Sequence, residues 1–199
     1  MNRDQWNRRY ASHELLWSAG PNQFIEAELA SLPPGPALDL AAGEGRNAIW
    51  LAGRGWRVHA VDFSDVALDR GRRLAGERGA RIEWEQADLT VWSPAARAYD
   101  LVVVAYLHLP WDPMRSVLRR AADAVAPGGT FLLVGHDRRN LTEGYGGPSF
   151  AEALYGPGDV SAELGDLRIE RADTVERRVA VDGGERVALD VLVRARRER

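Results

Sequence analysis

The residues most able to do chemistry form a glycine-rich run with acidic side chains around it. Asp39, Gly43, Glu44 and Gly45 lie where an apolar strand pattern changes into a helix pattern. Glycines adopt positive φ angles freely and let a backbone pass close to a ligand. In open α/β sheets, ligands bind beyond the carboxyl ends of the strands, which is where such a turn stands. The run therefore predicts a ligand site at the end of the first strand.

Two further acids extend this site and point to a nucleoside. Asp62 ends the second strand pattern, where it can accept hydrogen bonds from two ribose hydroxyls, and Asp88 follows the third, where it can meet an adenine amine. The run Gly43-x-Gly45-x-x-Ala48 also matches a permissive dinucleotide fingerprint. However, carboxylates at Asp39 and Glu44 repel a pyrophosphate and suit the ammonium and sulfonium of S-adenosylmethionine. The acids therefore favour S-adenosylmethionine over a nicotinamide dinucleotide.

Two histidines are candidates for acid–base chemistry. His108 comes directly after the fourth strand pattern, and His136 comes after the fifth, where Asp137 follows it and could orient its imidazole. A general base is needed only if the acceptor is a hydroxyl or amine that must lose a proton. Both histidines are therefore predicted as catalytic candidates, and each has a purely structural interpretation as its alternative.

Composition excludes several classes of chemistry. The 199 residues contain no cysteine and no lysine, so all 26 basic residues are arginine. Thiolate metal sites, cysteine nucleophiles and Schiff-base lysines are therefore excluded, and no metal site is predicted. The net charge of −3 disfavours a dedicated nucleic-acid binder. No apolar run approaches the roughly 20 residues of a membrane span, and no signal peptide is visible, so we expect a cytoplasmic protein without a membrane partner.

The elements that must position these residues alternate between strands and helices. This alternation predicts βαβ units and a largely parallel sheet with helices on both faces. Helices are predicted over about Asn47–Gly53, Asp65–Arg78 and Met114–Val125, the last of them stopped by Ala126-Pro127-Gly128-Gly129. The predicted strands are Ala37–Leu40, Arg57–Val61, Arg81–Gln86, Leu101–Val104 and Phe131–Val134.

The two ends of the chain differ from this pattern. At the C-terminal end, apolar residues alternate on both sides of Asp182-Gly183-Gly184, which predicts an antiparallel hairpin. At the N-terminal end, Asn22 is placed to cap a short helix. We expect one domain over 1–199, with an N-terminal segment at 1–32 and a Rossmann-like core at 37–199.

Together these motifs resemble the class I S-adenosylmethionine-dependent methyltransferases. Asp39-x-Ala-x-Gly43-x-Gly45 is similar to their first motif, Val61-Asp62 to the second, Ala87-Asp88-Leu89 to the third, and Pro127-Gly128-Gly129 to the turn before strand five. The resemblance implies a mostly parallel seven-stranded sheet with an antiparallel C-terminal hairpin. It also implies S-adenosylmethionine as cofactor, with S-adenosylhomocysteine as product. The cofactor-binding candidates are Tyr10, Trp17, Asp39, Ala41, Gly43, Gly45, Arg46, Asn47, Asp62, Phe63, Ser64, Ala87, Asp88, Leu89, Val104 and Ala105.

Within that class, the runs Gly45-Arg46-Asn47-Ala48 and Asp182-Gly183-Gly184-Glu185-Arg186-Val187, together with Tyr10, resemble the small tellurite-resistance and thiopurine-type methyltransferases. In the tellurite-type proteins, basic residues of the C-terminal hairpin face the substrate, and Arg186 falls at a matching position, with Arg178 near another. If that role carries over, these arginines would bind an oxyanion or carboxylate and no base would be needed. The competing interpretation is a solvated face of an edge strand.

The predicted activity is methyl transfer to a small-molecule acceptor by in-line displacement. Trp6, Tyr10 and Trp17 could form a lid over the cofactor or simply pack on the sheet edge, and the loop from Arg138 to Gly158 would shape the acceptor pocket. Two alternatives stay open. One is a module that binds S-adenosylmethionine without catalysis, and the other is an NAD(P)-dependent reductase.

Overall fold

The computed structural model of the protein describes residues 3–12 and 20–199. Within these residues, seven strands form one mixed sheet in the order β3-β2-β1-β4-β5-β7-β6. All neighbouring pairs from β3 to β5 are parallel, whereas β7 is antiparallel to both β5 and β6. The strands are β1 (Pro36–Leu40), β2 (Arg57–Asp62), β3 (Ile82–Gln86), β4 (Tyr99–Ala105), β5 (Val125–His136), β6 (Arg168–Val181) and β7 (Gly184–Arg196). The predicted fold class is confirmed.

Helices cover both faces of the sheet because its central strands are apolar on both sides. In β4, Leu101 and Val103 pack into one buried cluster, while Val102 and Val104 pack into the other. Among the described residues, no helix is sufficiently long and apolar to cross a membrane. The helices are α1 (Arg3–Ala11), α2 (Gln23–Leu29), α3 (Arg46–Gly53), α4 (Asp65–Glu77), α5 (Trp111–Ala124), α6 (Asn140–Glu143) and α7 (Pro157–Ala162), with a 3-10 turn at Ala151–Ala153.

Local signals placed several of these boundaries correctly. The Asn22 side chain accepts hydrogen bonds from the backbone N–H groups of Phe24 and Ile25, which caps α2 as predicted. The amphipathic pattern of α5 also holds, and its apolar face is buried.

The segment that was predicted to form a turn between α5 and the fifth strand belongs to the strand in the structure. The helix ends at Ala124, and β5 starts at once with Val125, so that the segment 126–129 lies inside the strand. There the register with β4 moves from the pair Tyr99/Val125 to the pair Leu101/Thr130. The extra residues form an irregularity in which Gly128 adopts a φ of 80°. The glycines therefore bend a strand instead of ending a helix.

Candidate active site

A cavity of about 830 Å³ opens at the carboxyl ends of β1, β2, β4 and β5, which is within the usual range for ligand pockets. Its wall combines the turn after β1, the residues that follow β2, β3 and β4, helix α1 and the loop at 147–150. The predicted site residues that line it are Tyr10, Ala41, Gly43, Arg46, Asn47, Asp62, Phe63, Asp88, Leu89, Ala105, His108 and His136.

Other predicted site residues stand outside this wall. Ala87 lines a smaller neighbouring hollow that shares Phe63 and Asp88 with the cavity. Trp17 lies outside the described residues. Those that line neither are Asp39, Gly45, Ser64, Val104 and Arg186.

The turn after β1 is built from alternating left-handed residues. Ala41, Gly43 and Gly45 adopt φ angles of 58°, 56° and 74°. A Cβ on Gly43 would stand 2.8 Å from the Tyr10 hydroxyl, whereas one on Gly45 would stand 2.2 Å from the Trp84 ring. Gly43 therefore faces the cavity, while Gly45 makes room for packing beneath it. The left-handed Ala41 was not apparent from the sequence, because alanine seldom adopts that conformation.

Asp39 lies fully buried in β1 beneath this turn. From the described residues, neither carboxylate oxygen receives a hydrogen bond of normal geometry. Burial and the nearby Asp62 carboxylate raise the pKa of Asp39 to about 7, although the Arg46 guanidinium and the Ala48 amide oppose the rise. An unsatisfied buried carboxylate is costly to the fold and usually marks a functional site.

Asp62 is held by the same turn. Its Oδ2 accepts a hydrogen bond from the Gly43 amide and its Oδ1 accepts one from the Ser64 amide, both at 2.9 Å. Burial raises the pKa of Asp62, while the amides of Ser64, Gly43 and Phe63 oppose that rise. The carboxylate is thus fixed in the cavity wall. Ser64 supports it and caps α4 without lining the cavity.

Two imidazoles stand at the opposite end of the cavity. The rings of His108 and His136 are stacked, with centroids 5.3 Å apart and planes 15° from parallel. Burial, together with the neighbouring His136, lowers the pKa of His108 to about 3, although the Asp190 carboxylate acts in the opposite direction. His108 is therefore neutral across the physiological range.

The carboxylate beside His136 is Asp190 of β7, and not Asp137 as the sequence suggested. His136 Nδ1 lies 3.1 Å from Asp190 Oδ1, an ion-pair distance with a poorly aligned hydrogen bond. Asp137 turns away, because its Oδ2 accepts a hydrogen bond from the Thr174 hydroxyl. The error arose because successive side chains of a strand point to opposite faces of the sheet. Asp190 is the direct partner of His136 across the antiparallel pair β5–β7.

Sequence reasoning missed the other two residues that hold Asp190. The Tyr106 hydroxyl donates a hydrogen bond to Asp190 Oδ2 at 2.6 Å, and Arg177 Nε donates another to the same oxygen at 2.6 Å. The Tyr106 oxygen in turn accepts one from Asn22 Nδ2 at 3.1 Å. Tyr106 adopts a positive φ of 52°, a conformation that is strained for an aromatic residue. The sequence did contain one signal of this network, because Asp190 is a charged residue between apolar residues of β7.

Of the two hairpin arginines that line the cavity, Arg177 is the more buried, with 23% of its side chain exposed against 79% for Arg178. Burial lowers the pKa of Arg177, but the bond to Asp190 more than offsets this and the pKa is raised overall. Arg178 lines the outer wall and pairs with Glu185 at 3.0 Å. Arg186, predicted as a substrate contact, is exposed on the hairpin and does not line the cavity. The hairpin therefore contributes to the cavity wall through Arg177 of β6 and not through Arg186 of β7.

Helix α1 covers part of the cavity with Trp6 and Tyr10. Asn7 joins it to the start of α4, because its Nδ2 donates to Asp65 Oδ1 at 2.7 Å and its Oδ1 accepts from the Ser64 hydroxyl at 2.6 Å. From the loop at 147–150, Gly147, Pro148 and Phe150 close another side. Both segments predicted to shape the site thus contribute to its wall.

Comparison with known proteins agrees with this architecture. Residues 37–129 match the family model described as a methyltransferase domain. That range contains the turn after β1, Asp62, Asp88 and His108. The matched segment, which is slightly less than half of the chain, is similar to a methyltransferase domain. The predicted resemblance is confirmed at the level of the methyltransferase class.

Curated relatives include enzymes with different acceptors. The chain is 32% identical over 117 residues to the trans-aconitate 2-methyltransferase of Sinorhizobium fredii, covering 57% of this chain and 43% of that protein. It is 29% identical over 133 residues to the tRNA 5-carboxymethoxyuridine methyltransferase of Escherichia coli, covering 64% of this chain and 49% of that protein. The chain thus spans about half the length of these relatives, or less.

Solved structures show the same fold over the whole chain. The N-methyltransferase NodS from Bradyrhizobium japonicum, in complex with S-adenosylhomocysteine, gives a TM-score of 0.73 at 20% identity and covers 100% of both chains. TehB from Haemophilus influenzae gives a TM-score of 0.75 at 15% identity, covering 98% of this chain and 67% of that one. At these identities the similarity establishes the fold.

Proposed function

We propose that this protein transfers a methyl group from S-adenosylmethionine to a small-molecule acceptor held in the cavity. The observation that carries the proposal is the buried Asp39 carboxylate, which receives no hydrogen bond of normal geometry from the described residues and lies beneath a glycine turn that opens into the cavity. A buried carboxylate with no hydrogen bond favours a cationic ligand nearby and disfavours a pyrophosphate. The methionine ammonium is such a cation.

The remaining wall fits the rest of this cofactor. Asp62 is braced by two amides, and its remaining lone pairs suit the ribose hydroxyls, while Asp88 borders the cavity where the adenine would lie. Arg46 lines the cavity and suits the methionine carboxylate. Relatives that act as methyltransferases support the same cofactor. Tyr10 and Trp6 on α1 would exclude water from the site.

When bound, S-adenosylmethionine supplies a sulfonium methyl group, whose carbon–sulfur bond breaks with its electron pair staying on sulfur as the acceptor binds the carbon. The chain contributes mainly alignment, since well-oriented reactants gain effective molarities of about 10⁵ M or more. Arg177, His108 and His136 line the end of the cavity that would hold the acceptor.

Two features support a small acceptor over an RNA. The cavity is covered in part by α1 and by the loop at 147–150, which leaves a confined space. The net charge of −3 also gives no excess of positive charge for a phosphate backbone. Because one relative is a tRNA methyltransferase, RNA is the alternative acceptor that the experiment must include.

The test is formation of S-adenosylhomocysteine from S-adenosylmethionine across a panel of acceptors. The panel contains carboxylic acids, phenols, amines, thiols and a tRNA mixture, and a matched calorimetric titration measures binding of S-adenosylhomocysteine and NADH. Turnover of a small acceptor together with binding of S-adenosylhomocysteine supports the proposal. Turnover of tRNA alone, binding without turnover of any acceptor, or preferential binding of NADH would contradict it.

A further inference from the structure

The second feature of the cavity is the pair of stacked histidines, whose environments differ. His136 lies against the ionised Asp190, whereas the Nε2 of His108 is buried without a hydrogen-bond partner among the described residues. Two titratable groups in contact but in contrasting environments usually divide the acid and base roles between them.

The orientation of His136 is fixed by its position at the end of β5. Its Nδ1 is buried and lies 3.1 Å from Asp190 Oδ1, and His136 also lines the cavity. Of the two nitrogens, Nε2 is therefore the one accessible to a bound acceptor. Asp190 is an acceptor of hydrogen bonds only, so it favours the tautomer with the proton on Nδ1. That tautomer leaves a lone pair on Nε2.

We propose that His136 Nε2 removes a proton from the attacking atom of the acceptor, and that Asp190 is the positioning residue that holds His136 in the tautomer required. The acceptor is then a protic nucleophile, such as a hydroxyl, thiol or amine group. This inference rests on the proposed function and specifies its acceptor. As the acceptor's bond to the methyl carbon forms, its proton passes to Nε2, and the imidazolium pairs with Asp190 until the proton leaves to solvent.

The hydrogen bonds around Asp190 determine which of its two oxygens faces His136. Tyr106 and Arg177 both donate to Oδ2, and Asn22 donates to the Tyr106 oxygen, so the Tyr106 proton is committed to Asp190. Oδ1 lies 3.1 Å from His136 Nδ1 and also accepts a long hydrogen bond from Arg177 Nη2 at 3.5 Å. The charged and titratable groups around His136 are Asp190 from β7, Arg177 from β6, and Tyr106 and His108 after β4.

This geometry predicts what the isosteric substitution Asp190→Asn does. The new amide oxygen is expected at the Oδ2 position, because Arg177 can only donate and its bond there is 2.6 Å long, against 3.5 Å at Oδ1. The NH₂ group then occupies the Oδ1 position. An NH₂ group beside Nδ1 donates to it and drives the proton of His136 to Nε2. The lone pair is lost from the cavity side, although the shape of the residue is unchanged.

The experiment is nitrogen-15 NMR of histidine-labelled protein near neutral pH, with and without S-adenosylhomocysteine. We expect the Nδ1–H tautomer at His136 in the native chain, assigned with His136→Gln, and the Nε2–H tautomer in Asp190→Asn. Asp137→Asn is the matched control, because that carboxylate adjoins His136 in sequence but bonds to Thr174, and it should leave the tautomer unchanged. The Nε2–H tautomer in the native chain would overturn the proposal even if the variant failed to fold.

Activity with the acceptor panel gives the second measurement. With a protic acceptor, Asp190→Asn and His136→Gln should each lower kcat about 10²-fold or more. In Asp190→Asn this loss should accompany the change of His136 to the Nε2–H tautomer. Both variants should bind S-adenosylhomocysteine as the native chain does. Undiminished kcat in both variants, or a preference for an acceptor without a proton, would overturn the base role. Absence of turnover with every acceptor counts against the proposed function itself, and the tautomer still reports on Asp190.

Discussion

The two ends of the cavity are built in different ways. The proposed cofactor end comes from short, consecutive segments that follow β1, β2 and β3, and the acids Asp39, Asp62 and Asp88 outnumber the one arginine assigned to it, Arg46. The acceptor end joins residues from β4 to β7, in which Asp190 meets Tyr106 from 84 positions away. The first is a local motif with acidic character, whereas the second is a long-range network of mixed charge. Substitutions should therefore separate cofactor binding from turnover.

The largest expected effect is on turnover, at the acceptor end. His136→Gln should lower kcat about 10²-fold or more with a protic acceptor, because the proton of the attacking atom is no longer removed. Binding of S-adenosylhomocysteine, measured by calorimetry, should change less than about twofold. His108→Gln is the paired variant, and we expect less than a tenfold loss because His108 is neutral and lacks a carboxylate. Equal losses in the two variants would contradict the assignment.

The next effect is on binding, at the cofactor end. Gly43→Ala places a methyl group 2.8 Å from the Tyr10 hydroxyl at a φ of 56°, where an L residue is strained by about 1–2 kcal/mol. We expect affinity for S-adenosylhomocysteine to fall about tenfold or more in calorimetry. Gly76→Ala is the control, since nothing lies within 4 Å of its added methyl and the position is helical. Similar affinities for both variants would show that the turn does not contact the cofactor.

Asp39→Asn should move stability and binding in opposite directions. The folded pKa of Asp39 is about 7 against an ordinary 3.8, so the folded state binds the proton more tightly and wild-type stability falls as pH rises from about 4 to 7. At pH 8 the variant should gain up to about 4 kcal/mol in the free energy of unfolding, at 1.36 kcal/mol per pKa unit. Its affinity for S-adenosylhomocysteine should fall about tenfold, because the nearby negative charge that attracts the ammonium is removed.

Chemical denaturation at pH 5 and pH 8, with calorimetry at pH 8, measures both effects. The stability gain should be much smaller at pH 5, where Asp39 is protonated in the folded protein. A variant that is less stable than wild type at pH 8 would show that Asp39 has a partner in solution that satisfies it.

The smallest effect separates two arginines of the same hairpin. Arg186→Ala should leave both kcat and KM within about twofold, since Arg186 is exposed and outside the cavity. Arg177→Ala should impair turnover, because Arg177 lines the cavity and bonds to Asp190. Initial rates with the identified acceptor provide the measurement. A large fall in kcat or rise in KM for Arg186→Ala would instead support the substrate contact that the family resemblance implied.

The same contrast explains how much the sequence predicted. The fold class and the cofactor end were predictable, because a strand period, a glycine turn and the acids at strand ends are local patterns. The partner of His136 was wrongly given as Asp137, since only the antiparallel register of β5 and β7 brings Asp190 to that face. Tyr106 and Arg177 were missed for the same reason. Gly45 does not line the cavity, and a Cβ there would meet the Trp84 ring at 2.2 Å, so its contact with a ligand stays a prediction.

The central claim is that the acid-flanked turn after β1 binds a cationic nucleoside and not a dinucleotide. Calorimetric titration of the protein with S-adenosylhomocysteine and with NADH, under the same conditions, tests it most directly. We predict stoichiometric binding of S-adenosylhomocysteine, weakened in both Gly43→Ala and Asp39→Asn, and no measurable binding of NADH. Binding of NADH in preference to S-adenosylhomocysteine, or affinity for S-adenosylhomocysteine unaffected by either substitution, would contradict the account.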